Sequence, residues 1–161
     1  MPSREIRILG DPVLRTPADP VREFGDALRK LVDRMFEHMY AAEGVGLAAP
    51  QIGVGQRAFV YDIEDHSGHV INPELTVDDP ADNVEDEGCL SVPGYFYPTP
   101  RAQAVTVRGY DVDGNTLVIS GHGNVARCLQ HENDHLDGRL YLDRLPAQLR
   151  RQAFVEIDLD L

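Results

Sequence analysis

The run His131-Glu132-Asn133-Asp134-His135 puts two imidazoles four residues apart, with a carboxylate beside the first. On a helix, residues four apart lie one above the other, so both rings can reach a single metal ion. Glu132 would then stand where it can exchange protons with a water. The plainer reading is a solvated polar helix face. A catalytic centre also needs a third protein ligand and an open position, and this run supplies two ligands. Downstream of it, Glu156 is the only Glu, no His follows His135, and Asp137 and Asp143 are poor candidates. Upstream, Cys89 lies in Glu87-Gly88-Cys89-Leu90-Ser91, just before Val92-Pro93-Gly94, a turn-like setting able to present a thiolate. A lone Cys is otherwise most often a small buried hydrophobe.

The second cysteine offers a rival. Cys128, His131 and His135 share a helix face, and with Cys89 they would make a closed Cys₂His₂ structural centre. Helix geometry disfavours it, because Cys128 lies about 10.5 Å of rise below His135 and its short side chain points toward the helix N-terminus. Cys128 is therefore expected to line a pocket or pack in the core. A third cluster, Gly44-Val45-Gly46-Leu47-Ala48-Ala49-Pro50-Gln51, superficially fits a dinucleotide fingerprint. That fingerprint must follow a strand and open a helix, whereas this segment follows a helix and contains Pro50. What remains is a Gly-rich strand or loop that lets backbone approach a ligand, ending in the Gln51 amide. Gln51 can serve as a donor to an oxyanion or simply as a loop amide.

These residues need elements to hold them. Leu28, Leu31, Val32, Met35 and Met39 recur at helical spacing over residues 25–43, with Gly44 at the expected C-cap. Strand-like runs follow at residues 57–62, 69–72, 75–77 and 102–112, and the acidic run 78–87 reads as a solvated loop with Glu87 turned inward. Asp113-Gly114-Asn115 reads as a hairpin turn into residues 116–119 rather than as a calcium loop, whose spacing and terminal Glu it lacks. Residues 124–136 form the helix of the chemical motif, capped by Asn124 and closed by Asp137-Gly138, and a last helix runs from Pro146 through Ala153. The expected fold is α+β: small antiparallel or mixed β-sheets packed around a central helix that carries H-E-x-x-H.

One domain spanning residues 1–161 fits the length. With 15 Lys+Arg against 27 Asp+Glu, the net charge of −12 argues against nucleic-acid binding, which needs a basic surface. Two cysteines make no disulfide framework, the opening residues hold no signal-like apolar run, and no stretch is long enough to span a membrane. A reducing cytoplasm is the expected compartment.

Taken together, the clusters resemble the peptide deformylase family, which carries G-x-G-L-A-A-x-Q, E-G-C-L-S and Q-H-E-x-D-H-L in that order. Here they correspond to residues 44–51, 87–91 and 130–136. The likeness extends to Asp11-Pro12-Val13-Leu14-Arg15 and to residues 138–144, so nearly the whole chain is covered. It implies a metal held by Cys89, His131 and His135 with a water in the fourth position. The family commonly uses Fe²⁺, which Ni²⁺, Co²⁺ or Zn²⁺ can replace; the ligand types alone do not choose among them.

The implied reaction is removal of the N-formyl group from the initiator methionine of new polypeptides, releasing formate. Glu132 would be the general base and acid, with Gln51 and the Leu90 backbone N–H donating to the formyl oxygen. Gly44, Val45 and Gly46 would pair with the substrate peptide, and Val45, Val125 and Cys128 would wall a methionine pocket, with Arg127 as a polar residue at its rim. Glu43 and Arg101 are either a supporting ion pair or unrelated surface charges. The aromatic, proline-rich stretch 92–100 is expected to alter the grip on the peptide beyond methionine. Expected partners are formylated nascent chains, at the ribosome, and the chain is expected to be a monomer. The rival enzyme is a metallopeptidase or other amide hydrolase on the same site; against it stands the upstream Cys in place of a downstream ligand.

Overall fold

A computed structural model of the chain describes residues 6–160, with side chains through residue 158; the opening residues 1–5, read above for signal character, lie outside them. Five antiparallel strands form one sheet in chain order: β1 (Gly46–Ala48), β2 (Ala58–Ile63), β3 (His66–Cys89), β4 (Val92–Tyr110) and β5 (Thr116–His122). Three helices pack on it, α1 (Asp26–Ala41), α2 (Gly123–Leu136) and α3 (Ala147–Asp160). Helices and strands are segregated, as expected for α+β, although the anticipated small sheets are a single sheet dominated by two long strands.

Those long strands are the main departure from the sequence reading. The runs at 69–72 and 75–77 and the acidic segment after them are one strand, paired with β4 from Ile71↔Tyr110 to Cys89↔Val92. Register shifts between Ile71 and Glu74 and between Asp79 and Asp82 bracket Pro73 and Pro80, which cannot donate to a ladder. The acidic side chains face solvent, so composition mimics a loop while the backbone remains paired. At the far end the strand delivers Glu87 and Cys89 to the molecule's centre.

Helix α1 ends differently from the expectation. Glu43, at φ 57°, takes the left-handed position, while Gly44 N–H closes the helix onto the Met39 carbonyl at 2.9 Å. Gly44 is needed for space instead, since a Cβ there would come within 2.6 Å of a Leu90 methyl. Helix α2 begins at Gly123 with His122 at its cap, and Asn124 donates to Glu64 rather than capping. Its far end closes at Asp137 as expected, with Gly138 at φ 76° against the Arg15 backbone. The β4–β5 turn is held by the Asp111 carboxylate, which accepts from the N–H groups of Asp113 and Asn115 at 2.8 and 3.0 Å. Helix α3 extends beyond Ala153 to Asp160.

The core has three parts. Leu31, Met35 and Met39 of α1 pack over Leu47, Val60 and Ile71. Val125, Leu129 and Leu136 of α2 pack against Phe59, Val105 and Val107. Tyr141, Leu142 and Ile157 form the third part under Tyr97. Helix α2 is thus buried on nearly all sides, which removes the solvated-face reading of its polar residues. Among the described residues no helix is long and apolar enough to cross a membrane. Leu129 has no exposed surface, so Leu129→Ala should cost about 2–5 kcal/mol of stability, read from the midpoint of urea unfolding.

Candidate metal centre and active site

Cys89 closes β3, while His131 and His135 stand one turn apart on α2; their ligand atoms all lie within 4.8 Å of one another. The Cys89 Sγ–His135 Nε2 separation is 3.4 Å, and the two Nε2 atoms are 3.2 Å apart. A tetrahedral ion with bonds of about 2.0–2.1 Å to nitrogen and 2.3 Å to sulfur sets such edges at about 3.3–3.6 Å. The donor set therefore fits one divalent ion.

The surroundings act in opposite directions on the two imidazoles. Burial opposes charging His131, yet Glu132, Cys89 and Glu87 outweigh it and move its pKa well upward. Burial and the neighbouring His131 and Arg101 charges push His135 well downward, toward the neutral imidazole a ligand must be. The His131 Nδ1–H donates to Glu87 at 2.6 Å, which fixes the ring and leaves Nε2 facing the other donors. Tyr141 stacks over the same ring, with centroids 6.1 Å apart.

Glu87 itself is held from three sides. Arg101 grips it bidentately at 3.0 and 2.7 Å, and Arg127 donates to it at 2.9 Å. Burial alone would raise the Glu87 pKa, but the bonds to His131 and Arg101 carry it far below the usual carboxylate range. Arg101 also donates to Asp134 at 2.6 Å, which Arg144 binds at 3.0 and 2.7 Å. Arg127 donates further to the carbonyls of Thr99 and Asn83, at 2.7 and 2.5 Å. This network corrects two expectations. Arg101 is buried and pairs with Glu87 and Asp134, so it is neither a surface charge nor the partner of Glu43, which lines the cavity instead. Arg127 is a buried strut as well as a cavity residue.

A cavity of about 740 Å³ opens over the centre, lined by Gly44, Val45, Gly46, Gln51, Leu90 and Cys128 together with Glu132 and others. Val125 is not among its lining residues. Steps of 100° along α2 turn Asn124, Arg127, Cys128 and His131 toward the cavity and leave Val125 in the core beside Leu129. Glu132 is almost wholly buried, its Oε1 has no hydrogen-bond partner, and burial pushes its pKa up to about 7. Its carboxylate lies so close to Gly46 that a Cβ there would come within 2.9 Å of Glu132 Cδ.

Gln51 accepts from Ala48 N–H at 2.9 Å, which turns its amide nitrogen toward Ser91 Oγ at 3.1 Å and Cys89 Sγ at 3.7 Å. Cys128 is not part of the ligand cluster. Its thiol donates to the Val45 carbonyl at 3.7 Å, and burial drives its pKa well upward. Sequence reasoning missed Asp134, Arg144, Ser91 and Tyr141; the only hint was an Asp between the two histidines on a helix otherwise destined for burial.

The family model for polypeptide deformylase matches residues 3–151. The peptide deformylase of Acidothermus cellulolyticus is 49% identical over 153 residues, covering 95% of this chain and 84% of that protein. That of Mycolicibacterium paratuberculosis is 51% identical over 165 residues, covering 92% and 84%. The crystal structure of peptide deformylase from Thermus thermophilus superposes with a TM-score of 0.88 at 43% identity, over 97% of this chain and 93% of that one. Similarity across nearly the full length, coupled to a Cys/His/His cluster of ligand geometry, places the chain in the polypeptide deformylase family.

Proposed function

We propose that the chain hydrolyses the N-formyl group of formyl-methionyl peptides, releasing formate and a free amino terminus, with Fe²⁺ as its resident ion. The observation that carries this reading is the meeting of Cys89, His131 and His135 beside the buried Glu132 at the floor of one cavity. Those three residues would hold the ion, which when bound acidifies a water and polarises the formyl carbonyl. A thiolate and two imidazoles also suit Ni²⁺, Co²⁺ and Zn²⁺.

The chain's own residues do the rest. Glu132, with a pKa near 7 and a free Oε1, takes a proton from the attacking water and returns it to the departing amine nitrogen. Gln51 Nε2 and the Leu90 N–H donate to the formyl oxygen as it gains charge. Strand β1 is at the sheet edge, so the Gly44–Gly46 backbone can pair with the peptide in strand fashion. Val45 and Cys128 contribute apolar wall for the methionine side chain. The substrate is a nascent chain leaving the ribosome, met by a monomer in a reducing cytoplasm that protects both thiolate and ferrous ion.

The direct test is formate release from formyl-Met-Ala-Ser by anaerobically prepared protein with its metal quantified. The unformylated and N-acetyl peptides serve as controls, and cleavage of a peptide bond in the unformylated one would favour the metallopeptidase instead. Glu132→Ala should keep its metal and lose about 10²–10⁴-fold in rate; appreciable formate release by it counts against the mechanism. Glu87→Gln should weaken metal binding by about 10- to 100-fold in a chelator competition, because His131 loses its anionic partner. Cys128→Ala should retain one metal per chain by elemental analysis; loss of the metal would instead indicate a fourth protein ligand.

A further inference from the structure

Phe96 is the residue of the aromatic stretch that the chemistry above leaves unused. The residue is 68% exposed, more than any other large hydrophobic residue among those described, yet it lines the catalytic cavity. Two other exposed hydrophobes, Ile8 at 49% and Val45 at 51%, line the same cavity. Scattered apolar side chains on a surface need no explanation, but three around one opening form a patch. The ring lies beside the backbone just before Cys89, for a Cβ on Gly88 would come within 2.5 Å of Phe96 Cε1.

The cavity runs from buried His131 and Glu132 at its floor to these exposed residues at its mouth. A formyl group at the floor puts the methionine side chain inside, and the next residue is the first to reach the mouth. Resting on the deformylase reading, we propose that Phe96 is a specificity-determining residue that selects an apolar side chain directly after the methionine, with Ile8 and Val45 completing the apolar rim. Glu43 and Asp86 in the same lining disfavour an acidic residue at that position by like-charge repulsion.

The test compares kcat/KM for formyl-Met-X-Ser with X as Leu, Gly or Asp, in the metal-loaded protein and in Phe96→Ala and Phe96→Lys. The unsubstituted protein should prefer Leu over Gly, and Phe96→Ala should reduce the Leu:Gly ratio by about fivefold, the scale of a partly buried apolar contact. Phe96→Lys should raise the Asp:Gly ratio. A Leu:Gly ratio that Phe96→Ala leaves within about twofold of its starting value, or an Asp:Gly ratio that Phe96→Lys does not raise, overturns the assignment. If the unsubstituted protein releases formate from none of the three peptides, the deformylase reading falls and the assignment with it.

Discussion

One buried carboxylate ties the two halves of the centre together. Glu87 belongs to β3, two residues before the thiol ligand, and accepts from His131, Arg101 and Arg127. Because His131 and Arg127 are on α2 and Arg101 is on β4, this group fixes the helix relative to the hairpin that carries Cys89. The ligands come from elements more than forty residues apart in sequence, and their separations near 3.4 Å depend on that registration. Such a network is not a cheap source of stability, since removing ions from water offsets most of their mutual attraction. Its value lies in orientation: a carboxylate with every partner satisfied has one low-energy placement, and the imidazole bonded to it inherits that placement.

Close backbone approach is the second constraint, and it explains where glycine is required. At Gly44 and Gly46 the reason is lateral space, taken by Leu90 and by Glu132 respectively. The edge strand thereby sits directly against Glu132, which remains buried. That placement raises the Glu132 pKa into the range useful for moving a proton at neutral pH. A side chain at residue 46 would have to displace the carboxylate, so the glycine is what lets Glu132 lie where it does.

The chemical residues were legible in the sequence because their signals are local. Helical spacing alone pairs His131 with His135, and the motif order around Cys89 nominates the third ligand. Local signals also located α1 and the turn at Gly114. Long-range pairing was not legible. Residues 78–86 have a loop's composition, yet β4 supplies a partner for their backbone, and tertiary context overrides their propensity. The partners of Arg101 were not legible for the same reason: its bonds reach across 14 and 33 residues to groups whose proximity only the folded sheet creates. Val125 failed on helix phase, because one residue along α2 rotates a side chain by 100° and exchanges cavity for core.

The two cysteines show how identical side chains acquire opposite chemistry from hydrogen-bond polarity. Around Cys89 the Ser91 N–H lies 3.4 Å and the Gln51 amide nitrogen 3.7 Å from the sulfur, so the backbone and side-chain donors treat that sulfur as an acceptor. An electron-rich sulfur is what a metal ligand must be. Around Cys128 the polarity reverses, for its neighbour is the Val45 carbonyl, which can only accept, and the thiol must keep its proton to satisfy it. Burial reinforces that proton, as do the carboxylates of Glu132 and Glu87. A closed four-ligand centre would require Cys128 to give up its hydrogen bond to Val45 and place a fourth donor into the cavity. The fold instead keeps Cys128 out of the ligand cluster and in the cavity wall.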